Sequence, residues 1–196
     1  MAVVNGYTTL AKIKAIVAIT STDAADDAVL EDMITQASRL IDIVTRRTFY
    51  ARTETHLYDC PRDRFLYIDD DDLLTITTLT NGDATVITTA DYTTEPANTT
   101  PKYIIKLKQS SSVSWQTDAN GNTEQVISVA GTWGAASTTP ADIESACNDI
   151  VISAYHRRTG ENVSGVATVT GGGIVITPQM IPASAMPTLQ HWQRGY

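Results

Sequence analysis

The sequence is poor in the residues that build disulfide frameworks and membrane spans. Among its 196 residues it has two cysteines. These two, Cys60 and Cys147, form no CxxC pair, so we expect free thiols rather than a disulfide framework. No apolar run reaches the roughly 18 residues needed to cross a bilayer, and the opening MAVVNGYTTLAKIK lacks a charged region that leads into an apolar stretch. We therefore expect no signal peptide, no membrane partner and a soluble intracellular product.

Charged residues are also scarce, at 18% of the chain, whereas hydrophobic residues make up 42%. This composition favours a globular core over a disordered chain. The formal net charge is -8 and the pI is about 4.7. Tight nucleic-acid binding depends on Lys and Arg side chains that neutralise phosphates. The acidic balance therefore argues against a protein that reads DNA sequence, but it is compatible with one that lets DNA pass without gripping it.

Motifs that carry catalysis are absent from the sequence. His56, His156 and His191 are far apart, and none has a Glu or a second His three or four residues later. The sequence contains no GxSxG or SxxK motif. The glycine run at 171–173 lacks the Lys-Ser/Thr and the helix start of a phosphate-binding loop. The sequence therefore predicts no enzyme, and no catalytic, cofactor-binding or metal-binding residue.

Four consecutive aspartates form the one conspicuous acidic run, at Asp69, Asp70, Asp71 and Asp72. On a strand or a tight turn neighbouring side chains point in different directions, so four adjacent carboxylates cannot all converge on one ion. An EF-hand loop would need alternating carboxylates and a central glycine. We interpret the run as a solvated turn that leads into a strand, and a weak cation site is the alternative.

Three segments are predicted to be helices. Residues 9–18 have Thr9 in a capping position, and residues 26–47 carry an apolar stripe at helical spacing over about five turns. The third helix, residues 140–159, opens at a proline, which is favourable at a first helical position. It ends in basic residues before a glycine, as the helix dipole and C-capping favour.

Between the two long helices the chain is rich in Thr, Val, Ile and Tyr and is broken by turn residues, which is typical of strands. Asn81-Gly82 predicts a hairpin between the runs around it. The predicted fold class is α+β: a small helical bundle of two long helices plus a short one, with a large β-rich insertion and an extended C-terminal arm. Its segments are the N-terminal helices at 1–50, the insertion at 51–134, the third helix at 135–160 and the arm at 161–196.

The order of these elements is more informative than any one of them. From the N-terminus it runs GYTTLAKIK (6–14), AVLEDMI (28–34), TRRTFY (45–50), LYID (66–69), DLLTI (72–76), DY (91–92), VAGTWG (129–134), PADI (140–143) and YHRR (155–158). This succession resembles the head–tail connector proteins (adaptor or head-completion proteins) of tailed bacteriophages, over nearly the whole chain.

The resemblance implies a structural virion protein made in the host cytoplasm and located at the neck of the particle. Such proteins form a homo-oligomeric ring, commonly of twelve copies, beneath the portal protein. They extend the channel for double-stranded DNA without binding it specifically, and they dock the next connector, stopper or tail-completion protein. On this basis we expect a portal or subunit interface at Ile181, Leu189 and Trp192 in the arm and at Arg157 and Arg158. The acidic turn, Asp69, Asp70, Asp71 and Asp72, would face the lumen or a neighbouring subunit.

Two other classes of function are compatible with parts of the sequence. Trp115 and Trp133 among Thr-rich strands would suit a carbohydrate- or surface-binding β module of a phage particle. A small metal-dependent hydrolase would have to use the aspartate run. Neither alternative accounts for two long helices on either side of the β-rich segment.

Overall fold

The computed structural model of the chain describes residues 3–20, 22–159, 166–170, 173–177 and 180–195, with backbone alone for 166–170 and 173–177. The described part is a mixed α and β protein. Its elements in chain order are α1 Leu10–Ile16, α2 Asp27–Thr45, β1 Arg52–Tyr58, β2 Phe65–Tyr67, β3 Leu73–Thr80, β4 Val86–Ile87, β5 Tyr92–Glu95, β6 Ile104–Leu107, β7 Ile127–Trp133, α3 Ala141–Thr159, β8 Val166–Thr170, β9 Gly173–Thr177 and α4 Met186–Trp192.

These elements group into two compact units. The helical unit consists of Met1–Arg47 and Thr139–Tyr196, and the β unit consists of Thr48–Thr138. The first and last turns of the β unit are bonded to each other, because the Ala135 N–H donates to the Thr48 carbonyl at 2.7 Å. No helix among the described ranges is long and apolar enough to cross a bilayer.

The helical unit begins with a short capped helix. The Thr9 hydroxyl accepts a hydrogen bond from the Lys12 N–H at 3.3 Å, which satisfies one of the free donors at the start of α1. Helix α2 ends where Arg46 adopts a left-handed backbone, with φ 55°. Its buried face is Leu30, Ile34, Ala37, Ser38, Ile41 and Thr45. The predicted second helix is therefore present, and it ends two residues earlier than the apolar pattern indicated.

Helix α3 packs against α2, and α1 and α4 pack against both. Its buried residues are Ile143, Ala146, Cys147, Ile150 and Val151. The Cys147 thiol lies 3.7 Å from the Ser38 hydroxyl of α2, and the Tyr155 hydroxyl donates to the Asp26 carboxylate at 2.9 Å. Polar contacts therefore bind α2 to α3 both within the core and at its edge.

The C-terminal segment is not extended throughout, contrary to the prediction. Residues 186–192 form α4, with Pro187 in its first turn, and Leu189 is fully buried. The N–H groups in the first turn of a helix have no intrahelical carbonyl to bond. A proline there therefore costs no hydrogen bond and does not break the helix. The Arg194 N–H then donates to the Thr45 carbonyl at 2.9 Å. The end of the chain thus belongs to the core of the helical unit.

The β unit contains two antiparallel sheets, with strand orders β1-β7-β3-β4 and β2-β6-β5. Strand β7 alternates buried and half-buried residues along its whole length, so its inner face forms core. The largest fully buried side chains here are Phe49, Leu73, Leu79, Ile105, Leu107, Ile127 and Trp133. The predicted Asn81-Gly82 hairpin is confirmed, because Leu79 pairs with Ile87 and the Asn81 N–H donates to the Thr85 carbonyl.

Candidate functional site

Three of the predicted interface residues, Ile181, Leu189 and Trp192, lie in α4 or in the segment before it. The Trp192 indole is half-buried and donates its Nε1–H to the Asp142 carboxylate, in the first turn of α3, at 2.6 Å. Leu189 is fully buried and Ile181 is half-buried. Of these three side chains, Leu189 contacts the interior of its own unit, whereas Trp192 and Ile181 retain accessible surface.

Arg157 and Arg158 are exposed in the last turn of α3. The distance along a helix axis is about 1.5 Å per residue, so they lie roughly 24 Å from Asp142, where Trp192 is bound. The structure therefore does not gather the predicted interface residues into one patch. Trp192 and the two arginines lie at opposite ends of α3, and a partner that contacted all three would have to run along the whole helix.

Large exposed apolar side chains of the helical unit lie elsewhere, and reasoning from the sequence did not identify them. Ile43 on α2 is 73% exposed and Met180 is 70% exposed, with Val4 and Ile16 also exposed. Ile43 lies outside the buried stripe of α2. The signal for it was available, since an isoleucine off the apolar stripe of an amphipathic helix has no core to enter.

In the β unit, the aspartate run is only partly solvated. Asp69 and Asp70 are exposed and Asp71 is half-buried, but Asp72 is 0% exposed. The interpretation of the whole run as a solvated turn is therefore wrong for Asp72. That residue directly precedes β3, and its carbonyl accepts the Gly134 N–H at 2.7 Å, which fixes its backbone within the fold.

Asp70 contacts two side chains of β1, those of Tyr58 and His56. Its carboxylate accepts the Tyr58 hydroxyl at 2.6 Å and lies 2.6 Å from the His56 Nδ1. Partial burial alone would raise the pKa of Asp70. The hydrogen bonds from Tyr58 and His56 outweigh that effect, and the net pKa of Asp70 is below its ordinary value. Burial, followed by the hydrogen bond to Asp70, raises the pKa of Tyr58 well above its ordinary value.

Asp71 faces a different set of partners. The Arg52 guanidinium pairs with the Asp71 carboxylate and has a second nitrogen 3.5 Å from the Glu54 carboxylate. The His56 Nε2 also lies 3.3 Å from that Glu54 carboxylate. Glu54 and His56 are two residues apart on β1 and so share one face of the strand. The sequence did not indicate this pair, because spacings of three and four residues from a histidine apply to helices and not to strands.

Neither of the two tryptophans suggested for sugar binding is available at the surface. Trp133 is 0% exposed and Trp115 is 9% exposed. The Trp133 Nε1–H donates to the Glu54 carbonyl at 3.1 Å, so this indole is part of the sheet. A stacking platform for a carbohydrate needs an exposed aromatic face, and these two rings do not supply one.

An open groove of about 450 Å³ lies beside Asp69 and Asp70. Its walls come from β1, from β2 and from the segment after β1, and they include Leu57 and Tyr67, both more than half exposed. The groove combines apolar side chains with carboxylates.

Comparison with known proteins identifies the fold. No protein-family model and no curated protein matches the sequence. Several solved structures match, and two of them illustrate the likeness over the whole chain. One is described as the neck of an empty GTA (gene transfer agent) particle computed with C6 symmetry, with a TM-score of 0.57 and 14% identity over 100% of this chain and 94% of that chain. The other is described as the neck of a native GTA particle computed with C12 symmetry, with a TM-score of 0.58 and 13% identity over 100% of this chain and 93% of that chain.

Proposed function

We propose that the chain is a structural protein of the neck of a phage-like particle, and that it serves as the adaptor beneath the portal. The observation that carries this proposal is the shared fold over the full chain with proteins of GTA necks. The ordered elements of the sequence support the same role independently. In this role the chain performs no catalysis and acts by binding its partners through its surfaces.

A homo-oligomeric ring of twelve copies is the assembly we propose. The symmetries of the similar neck structures, C6 and C12, support it. A cyclic ring uses head-to-tail contacts, in which one patch of each subunit meets a different patch of the next. The exposed Ile43 of α2 suits one side of such a contact, because removing a large apolar side chain from water is favourable.

The acidic character of the chain suits a channel for DNA. With a net charge of -8, the protein repels the phosphate backbone rather than gripping it. Asp69 and Asp70 are exposed and would add to this repulsion if they faced the lumen. Double-stranded DNA would then pass without a specific contact.

Portal docking is assigned to the C-terminal part of the helical unit, with Ile181, Trp192 and the exposed Met180 as its contact residues. Removing residues 178–196 is a poor test, because it would also remove Leu189 from the core. Single changes at exposed positions are sharper. We expect Met180→Asp to weaken portal binding at least tenfold, and Arg157→Glu with Arg158→Glu to weaken either portal binding or ring closure.

The decisive experiment mixes the purified chain with the portal protein encoded in the same genome. Native mass spectrometry and negative-stain images should show a ring of twelve chains on one end of the portal. Ile43→Asp should lower the number of bound chains, whereas Val86→Asp, a matched change at an exposed apolar position of β4, should not. Adaptors can remain monomeric until they meet a portal, so failure to bind the portal is the result that overturns the proposal.

A further inference from the structure

A group of three metal-ligating side chains lies in the β unit. Glu54 and His56 of β1 and Asp71 of the aspartate run each offer one ligand atom, and these atoms all lie within 4.8 Å of one another. Two ligands of one tetrahedral ion with bonds near 2.0–2.2 Å are about 3.4 Å apart. The His56 Nε2 and the Glu54 Oε2 are already 3.3 Å apart, and the Asp71 oxygen needs to approach by at most about 1.4 Å to share an ion with them.

The hydrogen bond at the far side of His56 fixes which ring nitrogen is available. An ionised carboxylate only accepts, so the His56 Nδ1, 2.6 Å from Asp70, carries a proton and donates it. In the neutral ring the Nε2 then presents a lone pair. That Nε2 lies 3.3 Å from the Glu54 Oε2, which also only accepts. A metal ion placed between these two atoms would be bonded by both.

The balance of charge favours a divalent ion. The carboxylates of Glu54 and Asp71 contact one guanidinium, that of Arg52, and the Asp70 carboxylate contacts His56. One guanidinium offsets one of these three negative charges, and a divalent ion would offset the other two.

We propose that Glu54, His56 and Asp71 bind one divalent transition-metal ion, best fitted by Zn²⁺, and that Asp70 orients the imidazole. A mixed set of one nitrogen and two oxygens suits Zn²⁺, whereas Mg²⁺ and Ca²⁺ prefer oxygen ligands alone. A carboxylate that holds the second nitrogen of a metal-bound histidine is a common arrangement around such ions. The site is structural, since it joins β1 to the segment that leads from β2 of one sheet to β3 of the other.

The test is calorimetric titration of the chelator-treated full chain with ZnCl₂ at pH 8. We expect one saturable site, no comparable heat with MgCl₂, and a rise in Tm when Zn²⁺ is present. His56→Gln and Glu54→Gln should each abolish the site, and Asp70→Asn should weaken it by about 10–100-fold. The matched control is the double variant His156→Gln, His191→Gln, which removes the histidines of the helical unit and should retain the site.

A second measurement uses the unmodified chain and so does not depend on how the variants fold. The ¹⁵N chemical shifts of the imidazole should show the His56 Nδ1 protonated throughout and the Nε2 changing from a free lone pair to a metal-bound nitrogen on addition of Zn²⁺. An Nε2 that is already protonated at pH 8, no saturable heat at millimolar Zn²⁺, or a site that survives His56→Gln would each overturn the proposal. The inference does not rest on the role of the chain in a neck, and its failure would leave that role unaffected.

Discussion

The His56 ring lies face to face with the Trp133 ring, with centroids 3.8 Å apart and planes inclined by 10°. Trp133 is the last residue of β7, and its Nε1–H donates to the Glu54 carbonyl of β1. The indole thus contacts two neighbouring positions of β1, one through its face and one through its edge. This double contact holds the imidazole in place, and Asp70 contacts the ring edge at Nδ1.

Trp133→Ala should be among the most destabilising single changes in the β unit. It removes the largest fully buried side chain, the stacking on His56 and the hydrogen bond to Glu54. We expect a loss of about 3–5 kcal/mol in the free energy of unfolding, measured by urea denaturation. Val86→Ala, at an exposed position of β4, should change it by less than about 0.5 kcal/mol. A loss below about 1 kcal/mol for Trp133→Ala would contradict this account.

Gly131→Ala should disturb the pairing of β3 with β7. A Cβ at this position would lie 2.1 Å from the Thr75 carbonyl oxygen, in a part of the ladder where the register shifts. Backbone atoms cannot move aside as a flexible side chain can, so we expect a loss of about 2–4 kcal/mol. Gly195→Ala is the matched control, because a Cβ there meets no atom within 4 Å. Equal unfolding midpoints for the two variants would show that the close approach is not required.

Acid should weaken the β unit through Asp70. The folded pKa of Asp70 is below its ordinary value, because hydrogen bonds from Tyr58 and His56 outweigh the effect of burial. A lowered folded pKa gives stability that is present above the unfolded pKa and is lost as the pH falls through the folded one. The unfolding free energy should therefore fall below about pH 4, and Asp70→Asn should fall less steeply there than the unmodified chain. Parallel acid curves for the two proteins would rule out this contribution.

Alkali should weaken the same cluster through Tyr58. Burial and the neighbouring Asp70 raise the folded pKa of Tyr58 well above its ordinary value of 10.0. Above about pH 10 the unfolded chain loses the phenol proton while the folded chain keeps it. The free energy of unfolding therefore falls as the pH rises. Tyr58→Phe removes this ionisation. Its unfolding midpoint should depend less on pH above pH 10 than that of the unmodified chain, as followed by circular dichroism.

The two thiols should differ in reactivity. Burial raises the pKa of Cys147 to about 11, and its side chain is fully enclosed between α2 and α3. Cys60 is only half-buried, and burial raises its pKa as well. A disulfide reagent at pH 8 should modify Cys60 first and Cys147 only when the helical unit opens, because the thiolate is the reactive species. Mass spectrometry of Cys60→Ser and Cys147→Ser would separate the two rates, and equal rates would contradict the enclosed position of Cys147.

The sequence predicted the elements whose signals are local. The stripe of α2 and the Asn81-Gly82 turn depend on residues within a few positions of each other, and both are found where periodicity and turn chemistry placed them. Helix α4 is absent from the prediction, which has an extended arm at 161–196, although a proline in the first turn, as at Pro187, is compatible with a helix.

The polar cluster was not predictable from the sequence for a different reason. Glu54 and His56 have a strand spacing, which is meaningful only once β1 is known to be a strand. Asp71 reaches them through the tertiary arrangement of β1 and the aspartate run, which no local pattern specifies. Similarly, the burial of Trp115 and Trp133 follows from the packing of the sheets rather than from their sequence neighbours.

The hydrogen bond between Ala135 and Thr48 means that the β unit leaves and rejoins the chain at nearly the same point. A segment with adjoining ends behaves as a cassette: it can lengthen, shorten or be exchanged while the span between α2 and α3 stays constant. Selection on the helical unit and selection on the β unit are thereby partly uncoupled. Related chains are expected to vary most in the size of this cassette and least in the spacing of the helices on either side.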